Sequence, residues 1–361
     1  MDITFKAPSY AKAALLFISA FAFVFTMYVG QGIIIPIVYA TIIAILLNPL
    51  VNYLIRKKIN KIVAISFAVF VAILAVLIIF YIISSQVSMF SETYPQLKVK
   101  LEATSTKFFR WFSEKFNIRQ SKINQYIAET QNTAISDLAI SEKLTAAGRA
   151  IVTLMLLPVY LSMILYYKPL LLEFIRKLFN DKYHETVVNI LLSTKTIIQS
   201  YLTGLFFEMI IIAILNSLGL LLLGIEYAII LGITGAILNI IPYIGGIIAI
   251  ALPMIIAFVT KDSLVYAGLV FAVYMVIQFI DNHFIIPKIV ASRVKINALI
   301  SVIVVLIGGS LWGIPGMFLS IPLTAILKAI LDHIGPLKPW GFLLGNIVPT
   351  TSKFYFIKRR P

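Results

Sequence analysis

The sequence predicts an all-α polytopic membrane protein with about eight membrane helical segments. Three observations carry this. Of the 361 residues, 60% are hydrophobic and only 12% are charged, whereas an ordinary soluble domain is about half apolar and about a quarter charged. Several apolar runs are longer than about 18 residues, enough to cross a hydrocarbon core of roughly 30 Å. The runs are continuous rather than alternating, which marks helices and not barrel strands.

The elements follow in order. The first helix is expected at Ala11–Val29. Lys6 and Lys12 ahead of the apolar stretch Ala13–Val29 resemble the start of a signal peptide, but that stretch is longer than a typical signal core and a second run follows at once. It reads as a retained helix. Gly30-Gln31-Gly32 is a turn, and the second helix covers Ile33–Ile55 and ends in RKKINK at 56–61. The third helix is expected at Ile62–Ser85. The polar stretch after it carries Leu97, Leu101, Phe108, Phe112 and Phe116 at helical spacing with charges between them, so it reads as an amphipathic helix, with a second around 121–136. A fourth helix is placed at Ala150–Tyr167. Pro169 then opens a surface-lying helix with Leu171, Phe174, Ile175 and Leu178 as its apolar stripe. A fifth helix is placed at Tyr201–Leu223, and another crosses at Leu264–Asp281.

Two further runs are broken. The first, at 227–259, is interrupted by LNIIPYIGG (238–246), and the second, at 298–334, by GGSLWGIPG (308–316). Each half of the first run is about 21–25 Å long at 1.5 Å per residue, short for a full crossing. Pro242 removes a backbone donor, and Gly245 and Gly246 permit a sharp turn. Gly308, Gly309, Gly313 and Gly316 cluster in the second break with Pro315. The expected shape is a pair of re-entrant hairpins entering from opposite sides, as in an inverted repeat, with their tips lining a transport site. Freed backbone groups are not tolerated against lipid, so each tip must meet protein, water or solute. The competing reading is two kinks packed by small residues.

Charge sets the orientation. Arg56, Lys57, Lys58 and Lys61 put the second loop in the cytoplasm, and Lys168, Arg176, Lys177, Lys288, Arg293, Lys295 and the basic tail then fall on the same side. Both termini are expected inside and 86–148 outside. The domain plan is 1–85, three membrane helices; 86–148, an extracytoplasmic helical segment; 149–200, the fourth helix and cytoplasmic interfacial helices; 201–335, a transport core; and 336–361, a basic cytoplasmic tail.

Composition excludes several classes. The net charge of +15 belongs to loops facing anionic lipid and not to nucleic-acid recognition, since no aromatic-interleaved basic motif occurs. With no Cys, disulfides and thiolate metal sites are impossible, and His184, His283 and His333 lie far apart. No P-loop is present, so direct ATP drive is not expected, and neither is a cofactor, a metal centre or enzymatic chemistry. The expected partners are the bilayer, a small solute, a proton or sodium ion, and further copies of the chain.

Ionisable residues inside membrane helices are functional candidates by default. Glu208 lies one turn past Gly204 in the fifth helix. Gln278, Asp281 and Asn282 share a face at i, i+3 and i+4. Such carboxylates are candidates for carrying a coupling proton. The bland reading places Asp281 at the membrane interface beside Lys288. Together with Asn239, Pro242, Tyr243, Gly245, Gly246, Gly308, Gly309, Gly313 and Gly316, these form the candidate solute and ion pathway. Residues such as Asn239 and Asn216 are more often helix–helix glue than ligands.

The stretches LLNPLVNYLIRKK (46–58), QSYLTG (199–204), LNIIPYIGG (238–246), NHFIIPKIV (282–290) and GGSLWGIPGMFLSIPL (308–323) resemble, in content and order, the AI-2E family of bacterial transporters. The resemblance covers nearly the whole chain. It implies an inner-membrane protein of eight-helix type with a polar segment after the third helix. It also implies export of the quorum-sensing signal autoinducer-2 in some members and cation/proton antiport in others. The expected function is a secondary transporter or exporter of a small solute, ion-coupled, with a sodium or lithium/proton antiporter or a passive channel as alternatives.

Overall fold

The computed structural model describes residues 8–116, 140–242, 244–261, 263–291 and 294–347. The described residues are overwhelmingly helical. The helices are α1 (Ser9–Val29), α2 (Gln31–Arg56), α3 (Lys61–Phe116), α4 (Ile140–Leu178), α5 (His184–Leu222), α6 (Ala228–Asn239), α7 (Ile244–Thr260), α8 (Leu264–Ile280), α9 (Ala298–His333) and α10 (Lys338–Leu344). Among them, seven stretches are long and apolar enough to cross a bilayer, and α6 and α7 are shorter apolar helices. The all-α polytopic expectation holds.

Several boundaries differ from those read in the sequence. The third helix does not stop at Ser85; α3 runs 56 residues to Phe116, through Pro95. Likewise α4 runs through Pro158 and Pro169 to Leu178, so Pro169 does not open a new helix. The fifth helix begins at His184 and not at Tyr201. The physical reason is common to all three. A change from apolar to polar residues marks a change of surroundings, whereas a helix continues wherever its i→i−4 bonds continue. The amphipathic stripe on α3 and the helix expected around 121–136 lie outside the residues whose side chains are described.

The described chain forms two compact units. The first contains the chain up to Pro169 together with Met209–Asp281, and the second contains Leu170–Glu208 together with the chain from Asn282 onward. In the first unit, α2, α3 and α4 share a core of Ala40, Ala44, Val51, Ala64, Ile65, Ala68, Leu161 and Leu165. The alanines recur at i and i+4 on α2 and on α3, the small-residue spacing that lets apolar helices approach closely. Polar ties clamp the loop end. Lys61 donates to the Tyr166 carbonyl at 2.9 Å and lies 4.6 Å from that ring, and Lys168 donates to Asn48 at 2.9 Å.

The second core of this unit is built on α6, α7 and α8 with the end of α5, and includes Leu220, Leu231, Ala249, Ile256, Val270 and Tyr274. Close crossings need glycine here. A Cβ on Gly232 would lie within 2.5 Å of the Ser217 backbone nitrogen. Lys100 of α3 closes the far end of α7 by donating to the carbonyls of Val259 at 2.6 Å and Lys261 at 3.2 Å. This satisfies acceptors that every helix leaves open at its C-terminus.

In the second unit, Asn297 organises the start of α9. Its Oδ1 accepts from the Ile300 N–H at 2.9 Å, and its Nδ2 donates to the carbonyls of Leu343 and Gly345. One side chain therefore caps α9 and anchors the end of α10.

Candidate functional site

Both broken runs are antiparallel helical hairpins. In the first, α6 ends at Asn239 and α7 begins at Ile244. The turn is held by the Ile241 N–H to the Leu238 carbonyl at 3.0 Å and the Gly245 N–H to the Ile241 carbonyl at 3.0 Å. The chain passes so close to itself that a Cβ on Gly245 would collide with the Leu238 carbonyl. Further from the turn, Gly235 faces Ala249. Pro242 sits half-buried in the turn, and Tyr243 lies outside the described residues.

In the second, α9 contains a reversal at Gly313, whose φ of 63° and ψ of −143° are open to glycine alone. Gly308 lies against Gly316, and Gly309 against Met317. Residues eight apart in a straight helix are separated by about 12 Å, so the chain doubles back. At both breaks the described chain packs back against itself. At 1.5 Å per residue, the arms of α6 and α7 are about 18 and about 26 Å long.

The first hairpin carries the polar site. Asn239, the last residue of α6, donates from Nδ2 to Oδ2 of Asp281 at 3.0 Å. Asp281 follows α8 directly and is fully buried, with 0% of its surface exposed. Its other oxygen, Oδ1, has no hydrogen-bond partner among the described residues. The Asp281 side chain is thus enclosed by protein, with Asn239 as a hydrogen-bond partner. Gly246 completes the cluster. A Cβ there would sit 3.3 Å from Gln278 Oε1 and 3.5 Å from Asn239 Oδ1, so the missing side chain lets two amide oxygens approach the hairpin backbone.

The backbone at Asp281 is itself unusual. From Asp281 to Ala291 the helix widens to π geometry, a form that is rare and concentrated at functional sites. The α-helical register holds from Gln278 to Asp281 and changes from there on. Gln278 is half-buried, Asp281 buried and Asn282 exposed, so Asn282 leaves the cluster.

One turn further along the same hairpin lies a second polar level that the sequence reading missed. Gly235, four residues before Asn239, faces Tyr274, four residues before Gln278. A Cβ on Gly235 would be 3.3 Å from the Tyr274 hydroxyl and 3.2 Å from Asn216 Nδ2. Asn216 and Tyr274 are 2% and 3% exposed. The Tyr274 hydroxyl and Asn216 Oδ1, with the Thr234 hydroxyl nearby in sequence, have no hydrogen-bond partner among the described residues. Each such group in an apolar core costs about 1–3 kcal/mol. A signal existed: Tyr274, Gln278 and Asp281 follow at i, i+4 and i+7, a stripe on one helix face.

The remaining candidates lie in the second unit. Glu208 is buried on the α5 face that carries Tyr201, Gly204 and Leu205. Gly308, Gly309, Gly313 and Gly316 shape the second hairpin and hold no polar side chain of their own.

Comparison with known proteins agrees with this architecture. The model of AI-2E family transporters matches residues 16–335. The protein YueF of Bacillus subtilis (strain 168), provisionally named a transport protein, is 25% identical over 314 residues, covering 83% of each chain. The AI-2 transport protein TqsA of Escherichia coli (strain K12) is 25% identical over 331 residues, covering 87% of this chain and 90% of its own. YrrI of Bacillus subtilis (strain 168), also provisionally named a transport protein, is 30% identical over a shorter 133 residues, 37% of each chain. With a family match across nearly the whole chain and a set of bilayer-length helices, this multi-pass membrane protein belongs to the AI-2E family of transporters.

Proposed function

We propose that the chain is an ion-coupled secondary transporter that exports a small organic solute, of the autoinducer-2 type or similar, across the bacterial inner membrane, with both termini in the cytoplasm. One observation carries the coupling: a carboxylate, Asp281, is wholly enclosed in an apolar helical unit and is held by Asn239 at the tip of a broken hairpin. A charge or proton in such a place is expensive and marks ion pathways. Discontinuous membrane helices supply the sites of many secondary transporters. The name of the Escherichia coli relative supports a small signalling solute.

A second reading is a sodium or lithium/proton antiporter. It is favoured by the oxygen-rich surroundings: Asn239 Oδ1 and Gln278 Oε1 flank Gly246 beside the Asp281 carboxylate. Hard alkali cations prefer such oxygen ligands.

The test is flux in proteoliposomes holding the purified protein, under imposed proton, sodium and lithium gradients. Gradient-driven flux that disappears in Asp281→Asn supports the transporter. Cation/proton exchange with no organic solute present favours the antiporter. Conductance that ignores every gradient identifies a passive channel and overturns the proposal.

A further inference from the structure

The second unit contains a cavity of about 520 Å³ that none of the candidate pathway residues lines. We infer that it is a binding site for a small hydroxylated phosphate ester.

Its size lies within the roughly 300–1,000 Å³ of small-molecule sites, well above what a bare inorganic ion fills. One wall is a face of α5 that presents Ser193, Thr196 and Ser200 at i, i+3 and i+7. These are three hydroxyls, each able to donate to and accept from a ligand. The opposite wall is the last turns of α9 with the residue pair that precedes it, Val294 and Lys295.

The charges there are unequal. Lys328 is tied to Asp332 in an i, i+4 ion pair, so these two offset each other. Lys295 has no ion-pair partner among the described residues and gives the cavity a net positive charge. Its backbone is left-handed, with φ of 53°. A lysine rarely adopts that conformation, and observed strain of this kind accompanies functional positions.

His333 lines the same cavity. Its Nδ1 lies 2.7 Å from the Ala329 carbonyl, which can only accept, so Nδ1 carries the proton. Nε2 is then an acceptor in the neutral ring, matched to a ligand hydroxyl. A lysine point charge, hydroxyl donors and an imidazole acceptor together fit an anionic phosphate carrying hydroxyl groups.

This chemistry has two sources: a soluble ester such as glycerol 3-phosphate, or the headgroup of phosphatidylglycerol. The test uses the full chain in nanodiscs and measures calorimetric binding. In phosphatidylcholine discs, glycerol 3-phosphate should bind saturably, at least tenfold tighter than inorganic phosphate. Lys295→Asn removes the charge yet tolerates the left-handed backbone, and should weaken binding at least tenfold. Ser193→Ala/Ser200→Ala serves as the second variant should Lys295→Asn fail to fold. If the lipid is the source, phosphatidylglycerol discs should abolish the glycerol 3-phosphate signal, and phosphatidylglycerol should stay bound through native mass spectrometry in the parent protein only. Absence of saturable binding in both lipid settings, or unchanged affinity in the folded variants, overturns the inference. The measurement is of binding alone, so its failure leaves the transport reading untouched.

Discussion

Gly308 and Gly316 lie backbone against backbone: a Cβ on Gly308 would approach the Gly316 carbonyl oxygen to 2.5 Å. Ser320, on the same arm as Gly316, returns a hydrogen bond to that carbonyl at 2.6 Å. The pairing of two glycines eight residues apart is what turns one long apolar run into two arms.

Gly308→Ala should therefore open this hairpin. Neither backbone neighbour can give way as a flexible side-chain end would, so overpacking of about 1–3 kcal/mol is expected. Thermal unfolding in detergent should report it as a lower midpoint. Gly268→Ala, where no atom lies within 4 Å of the added carbon, should leave the midpoint unchanged or raise it.

Asn239→Ala should destabilise the first unit by about 1–3 kcal/mol, because it removes the amide donor to a fully buried carboxylate. Asn239→Asp should be worse, since it sets a second carboxylate 3 Å from the first. Double-mutant cycles with Asp281→Asn check both: the penalty of Asn239→Asp should shrink once Asp281 is neutral. An undiminished penalty would show that the pair does not interact.

Tyr274→Phe separates stability from function. It deletes a buried hydroxyl with no partner among the described residues, so the fold should be unharmed or gain up to about 1 kcal/mol. If the inner polar level is part of the ion route, coupled flux should fall at least several-fold in the same variant. Gly235→Ala should lower flux as well, because its methyl group would press on both Asn216 and Tyr274. Melting curves and proteoliposome flux on the same preparations are the measurement.

Lys100→Met should loosen the end of α7 while keeping the aliphatic stem. The lost bonds to Val259 and Lys261 amount to about 1 kcal/mol of helix C-terminal stabilisation. Hydrogen exchange should speed up in the last turn of α7 and stay unchanged at its first turn. Uniform acceleration along the helix would point to global unfolding instead.

Much of this architecture was legible in one dimension. Apolar run length determines that a segment crosses a bilayer, because the hydrocarbon core has a set thickness. Clustered glycine with proline determines where such a run must break, because these residues alone reshape the backbone freely or remove its donor. The place of both chain reversals followed from that. Helix ends did not. Pro95 and Pro169 lie inside continuous helices, because a helix goes on wherever its remaining i→i−4 bonds do.

Only the tertiary structure decided what the polar residues do. Asp281 is equally a surface acid or an enclosed one until α6 places Asn239 beside it. Tyr274 and Asn216 are ordinary until Gly235 brings them to one point. Asn282 reads as a member of the cluster until the π-helical widening turns it outward. Burial and partnership depend on residues tens of positions away, and no periodicity along the chain encodes that. The sequence alone determined which segments are long and apolar enough to cross a bilayer and where they bend; three-dimensional packing determined which side chains meet.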